Sequence, residues 1–311
     1  MLSASVDVGS NTLRLLIGSV RGREISRLHT ARAVTRLAEG VRETGSLREE
    51  NMRKSVAALK DFSRSIAGLG ASPVRAVGTS ALREAKNAEA FVRFAREKTG
   101  IAIDVITGTR EAALTARGVV AGLPDIPGVL LIVDIGGGST EWIVHNPASR
   151  EAPACGTVPL GVVNLLEGFI TADPPSGRET AALNEAIDAA FGSDGPAITP
   201  LPGFSHLVGT GGTITTLASI DLGLKEYAPA RVHGHRMSLA RLRQIAGRLT
   251  ALPVAERQRI SGIGVDRADL IIPGVLLTIR LVALFGLDGI TVSDFGLLEG
   301  LLEEMQNEKS F

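Results

Sequence analysis

The stretch Val129-Leu-Leu-Ile-Val-Asp134-Ile-Gly-Gly-Gly-Ser139-Thr-Glu141-Trp-Ile-Val144 decides the fold. Residues 129–135 are apolar up to a single acid, as in a strand buried on both faces; three glycines break the run, and Trp142-Ile-Val144 starts a second strand. The chain opens in the same way. Ala4 to Val8 is a short apolar run that stops at Gly9-Ser10-Asn11, and Leu13 to Ile17 follows at once. The Asp-x-Gly turn therefore occurs at Asp7 and again at Asp134, 127 residues later. Solenoid units recur every ~20–50 residues, so this spacing points to two related domains. A third strand runs into glycine at Leu207-Val208-Gly209-Thr210-Gly211-Gly212-Thr213.

Helices fill the intervals. Ser46 and Glu49 have the spacing of a capping box, ahead of Met52, Val56, Leu59, Phe62 and Ile66 at helical period, with Gly68 and Gly70 as the stop. Val74 to Val77 reads as a strand, Asn87 to Lys98 as an amphipathic helix closed by Gly100, and Ile101 to Ile106 as a strand. Thr109 opens a helix to about Val120. The segment from Ala121 to Gly128 can propagate neither helix nor strand and is the expected linker; Asp194 to Gly203 is a second Pro/Gly-rich break. A last strand is expected at Ile290 to Val292 and a final helix from about Phe295. The fold class is α/β: two domains, 1–124 and 125–294, facing each other across an interdomain cleft.

Composition narrows the function. Lys and Arg total 33 and Asp and Glu total 33, so nonspecific binding of nucleic acid or an anionic membrane through the overall field is excluded, and a polyanion would need a local arginine cluster. One cysteine, Cys155, rules out a disulfide framework and zinc-finger spacing; the expectation is an intracellular, cytoplasmic protein with Cys155 as core filler. No signal segment is read at the N-terminus, where Asp7, Asn11 and Arg14 interrupt the apolar run. Leu270 to Leu287, which carries Pro273 and Arg280, reads as a buried helix rather than a membrane span.

Glycine after a strand lets a ligand approach the main chain, and successive N–H groups then form an anion nest. One such turn is ordinarily only a turn. Three of them, two flanked by Asp and Ser or Thr, favour phosphate: Gly9, Ser10 and Asn11; Gly136, Gly137, Gly138 and Ser139; Gly209, Thr210, Gly211, Gly212 and Thr213. Neither the Walker A nor the dinucleotide glycine pattern fits. Asp7, Asp134 and Glu141 are the attached carboxylates, and acids beside a phosphate make electrostatic sense with a cation between, for which Mg²⁺ is suited. The competing reading for the two aspartates is an Asx turn. Arg14, Arg83 and Arg110 lie near the turns in sequence and would bring positive charge. Glu111, two residues beyond Thr109, is explained equally well by the helix dipole. Arg231, His233, His235 and Arg236 form a basic group; in a strand the two imidazoles would share a face, and a basic rim explains them better than a metal site.

These residues resemble the exopolyphosphatase / guanosine pentaphosphate phosphohydrolase (Ppx/GppA) family, of the actin–Hsp70–sugar kinase superfamily with ribonuclease H-like domains. The resemblance is carried by Val6 to Leu15, Gly78 to Asn87, Ile106 to Ala112, Asp134 to Glu141, Gly209 to Thr213, Val232-His-Gly234, Arg267-Ala-Asp269 and Val292 to Gly300, in this order along nearly the whole chain. It implies hydrolysis of a terminal phosphoanhydride with Mg²⁺, with a monovalent ion such as K⁺ as a second candidate cofactor. Glu111 would be the general base for water, Arg83 the arginine holding phosphate, Asp134 and Glu141 the acids on the metal side, and the glycine turns the phosphate loops. The resemblance also implies a homodimer and a C-terminal helix, 295–311, that completes the first domain.

Three positions depart from the family pattern: Arg110 where an acid is common, Thr107 for a frequent Ser, and Leu298 where an Arg is usual. Arg110 would depress the pKa of Glu111 or contact the phosphate chain. The expected activity is that of an exopolyphosphatase acting on inorganic polyphosphate, with guanosine pentaphosphate as the alternative substrate. A non-catalytic polyphosphate or alarmone sensor, motivated by Arg110 and Leu298, is the alternative of another class.

Overall fold

The computed structural model describes residues 1–22, 24–123, 126–149, 153–192 and 204–308. They form two compact units, Met1–Gly122 with Phe295–Phe311, and Leu123–Asp294. The whole stretch from 194 to 203 and part of the expected linker lie outside the described residues.

The first unit is built on a five-stranded sheet of β1 (Ser3–Val8), β2 (Thr12–Arg21), β3 (Glu24–Val34), β4 (Val74–Gly78) and β5 (Ile103–Val105), in the order β3-β2-β1-β4-β5. β1, β2 and β3 are antiparallel neighbours; β4 and β5 run parallel to β1. The second unit holds β6 (Leu130–Ile135), β7 (Thr140–His145), β8 (Ala154–Val158), β9 (His206–Thr210), β10 (Arg236–Ser238) and β11 (Gly289–Val292), in the order β10-β11-β9-β6-β7-β8. Reversed, β8-β7-β6-β9-β11 repeats the first sheet strand for strand and direction for direction, with β10 added antiparallel at one edge. The duplicated Asp-x-Gly turn is thus the β1–β2 turn in one unit and the β6–β7 turn in the other. Parallel neighbours need crossover segments, and helices fill them, covering central strands of which β6 is buried along its whole length.

Three local expectations are corrected. The helix Glu49–Gly68 begins after Arg48 with no side-chain cap; the Ser46 N–H donates to Thr44 Oγ1, so Ser46 belongs to the turn that ends the short helix Val41–Thr44. β3 has no counterpart in the sequence reading. Arg231, His233, His235 and Arg236 do not share a strand: Arg231 lies in the turn of helix Pro229–Val232, and only Arg236 is in β10. His235 instead pairs with Asp221 at 2.7 Å, and His233 Nδ1 accepts the Asp294 amide. The Leu270 to Leu287 stretch forms the buried helix Ile271–Leu284, and among the described residues no helix is long and apolar enough to cross a membrane.

The final helix, Leu297–Asn307, packs on the helix Gly108–Gly122 within the first unit. A β-carbon on Gly118 would collide with the Gly296 carbonyl, and one on Gly300 with the Leu114 carbonyl. The two backbones therefore approach to a distance only glycine permits.

Candidate active site

In the first unit, Asp7 is the penultimate residue of β1 and stands opposite Arg14 on β2. The pairing becomes an ion pair: Arg14 Nε and Nη2 donate to Asp7 Oδ2 at 2.9 and 2.7 Å. Asp7 is only 3% exposed, and its other oxygen, Oδ1, is buried with no hydrogen-bond partner. The turn Gly9–Asn11 is braced from outside, since the Thr35 and Arg36 amides both donate to the Asn11 carbonyl and the Ala38 amide to that of Ser10.

Arg83 and Glu111, distant in sequence, meet in this unit. Arg83 sits on the short helix Ser80–Glu84 that follows β4, and Glu111 on the first turn of Gly108–Gly122, which follows β5; the parallel pairing of those strands sets their ends side by side. Arg83 Nη1 donates to Glu111 Oε2 at 2.7 Å and to the Ile106 carbonyl at 3.1 Å. Glu111 is 7% exposed. Arg110, next to it, is drawn to another partner, since its Nη2 donates to Glu304 on the final helix. Leu298, the other departure in that region, is buried with Leu16, Val20, Leu302 and Met305.

In the second unit Asp134 and Glu141 occupy the positions that Asp7 and Arg14 hold in the first. They stand directly opposite on β6 and β7, and are 7% and 1% exposed. The duplicated turn has inverted its charge, from an acid–base pair to two acids. Like charges placed across a strand pair destabilise a sheet unless something neutralises them. Glu141 Oε1 accepts from Ser139 Oγ at 2.7 Å and from Thr157 Oγ1 at 3.0 Å. The carbonyls of Gly136 and Gly137 accept the Val162 and Val163 amides at the start of helix Val162–Phe169, which fixes the loop 136–139.

β9 passes straight into helix Gly211–Asp221 at the third glycine turn. Gly211 has φ of 86°, and a β-carbon there would strike Asp134 Oδ1, so the carboxylate lies against the turn. At Gly212 a β-carbon would strike the guanidinium of Arg267. The N-terminus of this helix thus gathers main-chain N–H groups, a carboxylate and a guanidinium, the constituents of a phosphate and cation site. Among the described residues no group of three or more His, Cys, Asp or Glu side chains could hold a metal alone. Mg²⁺ needs no such cage, because it binds through one or two carboxylates and completes its shell with water and phosphate. Asp134 and Glu141 fit that requirement. Sequence reasoning did not single out Thr157 or the position of Arg267 over Gly212.

The model of the Ppx/GppA phosphatase family matches residues 16–309. Exopolyphosphatase 2 of Mycobacterium tuberculosis is 31% identical, the match covering 96% of each chain. A guanosine-5'-triphosphate,3'-diphosphate pyrophosphatase of Vibrio vulnificus is 30% identical over 99% of this chain and 60% of its own. Among solved structures, the Aquifex aeolicus Ppx/GppA family member superposes with a TM-score of 0.82 at 31% identity, covering 99% of this chain and 98% of that one. An exopolyphosphatase from Cytophaga hutchinsonii gives 0.89 at 27% identity, with the same coverage of both chains. The likeness extends over nearly the whole sequence and both halves of this actin-like fold, and the chain belongs to the Ppx/GppA phosphatase family.

Proposed function

We propose that this protein is an exopolyphosphatase that removes the terminal phosphate of inorganic polyphosphate, with Glu111 as general base and magnesium as cofactor. Membership of the family makes it a phosphoanhydride hydrolase. The observation that carries the finer reading is the buried Glu111 carboxylate held by Arg83 at 2.7 Å on a first helical turn. Glu111 would take a proton from water as its oxygen attacks the terminal phosphorus; the bridging P–O bond breaks, and the shortened chain leaves. Arg83 would orient Glu111 and supply positive charge to the phosphate. The main-chain N–H groups of Gly9–Asn11, Gly136–Ser139 and Gly209–Thr213, with Arg14, would bind phosphate oxygens. Asp134 and Glu141 would hold magnesium, and the bound ion would supply positive charge against the phosphate oxygens. Phosphoryl transfer to water needs little more than this positioning and charge neutralisation.

The second substrate reading, guanosine pentaphosphate, is favoured by the Vibrio vulnificus relative. Phosphate release from long-chain polyphosphate and from guanosine pentaphosphate, at equal concentration of ends, separates the two. A kcat/KM higher on polyphosphate supports the proposal; a preference for the nucleotide replaces it. The sensor reading rested on Arg110 and Leu298, and both are engaged in the packing of the final helix. The expected homodimer and cytoplasmic location belong to the same proposal.

A further inference from the structure

Thr157 lies on β8 directly across from Glu141, which lies across from Asp134, which lies across from Thr210 on β9. The four residues form one row over four adjacent strands, with the two acids at its centre. Within it, Thr157 Oγ1 and Ser139 Oγ both donate to one oxygen, Glu141 Oε1. The terminal torsion of a glutamate is broad, so a carboxylate left to itself has no fixed plane. Two donors on one oxygen fix that plane, and with it the direction from which a cation is accepted.

The two donors differ. Ser139 belongs to the glycine loop 136–139, whose polar groups are the ones a phosphate would compete for. Thr157 lies on no such loop, sits 16 residues from Glu141 in sequence, and reaches it only through strand register. Its hydroxyl is therefore the anchor that persists when phosphate engages Ser139.

We propose that Thr157 is a positioning residue for the divalent cation, acting through Glu141. The proposal rests on the assignment of Asp134 and Glu141 as the magnesium carboxylates. Its test is titration of the metal-free protein with Mn²⁺ as the probe, the free ion being counted by electron paramagnetic resonance, for wild type, Thr157→Val, Thr157→Ser and Glu141→Gln. Outer-shell partners of metal ligands typically contribute about 10–100-fold in affinity, so Thr157→Val is expected to weaken Mn²⁺ binding about tenfold. Thr157→Ser, which keeps the hydroxyl, is expected to restore it, and the metal-free melting temperatures of the two variants to match. The Mg²⁺ concentration for half-maximal phosphate release should rise in parallel in Thr157→Val, while kcat at saturating Mg²⁺ is kept. Thr157→Val binding Mn²⁺ as tightly as wild type, while Glu141→Gln does not, would overturn the role of Thr157 alone. Wild type that takes up no Mn²⁺, or Glu141→Gln that binds like wild type, would overturn the carboxylate assignment and the proposal together.

Discussion

Arg110 donates to Glu304, tying the first turn of the helix that carries Glu111 to the final helix of the chain. Arg75 donates to the same carboxylate at 3.0 Å, so Glu304 joins three elements of the first unit. Arg110 thus serves packing, and an acid at its position would face Glu304 with like charge. Arg110→Glu is expected to destabilise the first unit by about 1 kcal/mol, a modest figure because Arg110 is partly exposed. KM for polyphosphate should stay within about threefold, as expected when no substrate contact is lost. A large rise in KM at unchanged stability would place Arg110 on the substrate instead.

Gly300 meets the Leu114 backbone with no room for a β-carbon. Gly300→Ala should push the final helix off Gly108–Gly122 and cost about 3 kcal/mol, the upper range for overpacking. Urea denaturation followed by circular dichroism measures it; a loss below about 0.5 kcal/mol, the scale of a neutral surface change, would show that the helices can separate without penalty.

The parts of the fold legible in the sequence are those where one residue type has one physical use. Glycine after an apolar run located all three strand-to-turn transitions, and the offset between Asp7 and Asp134 disclosed the duplication. β3 escaped because it is an edge strand: Ile25, Arg27, His29 and Ala31 are only half-buried, so no apolar alternation marks it. Ser46 misled because its spacing to Glu49 fits a capping box, whereas Thr44 Oγ1 bonds both its N–H and its carbonyl. The meeting of Arg83 with Glu111 depends on the parallel pairing of β4 with β5, and that of Thr157 with Glu141 on the register of β7 with β8. Neither is encoded at a short spacing.

Asp221 gives the second unit a pH-dependent anchor. Burial pushes its carboxyl up, but hydrogen bonds from Arg241 and His235, with their charges, outweigh it and leave the pKa below the ordinary 3.8. A carboxylate depressed in the folded state contributes stability that is complete above its unfolded pKa and is lost as pH falls through the folded one. The acid limb of the stability profile should therefore be shallower in Asp221→Asn than in wild type below pH ~4. Identical limbs from thermal melts at stepped pH would remove Asp221 from the account.

Asp134 and Glu141 stand directly opposite each other on β6 and β7, and a bound Mg²⁺ would relieve the repulsion between them. At about 100 times its Kd a ligand adds about 2.7 kcal/mol of stability. The wild-type melting temperature should rise by several degrees with Mg²⁺, and that of Asp134→Asn should not respond. An equal rise in both would place the ion elsewhere.

Phosphate release from long-chain polyphosphate with saturating Mg²⁺, wild type beside Glu111→Gln, tests the central claim most directly. Loss of a general base costs roughly 10²–10⁴-fold, so kcat should fall by that factor while the melting temperature and substrate binding persist. A Glu111→Gln protein that releases phosphate at the wild-type rate would contradict the account.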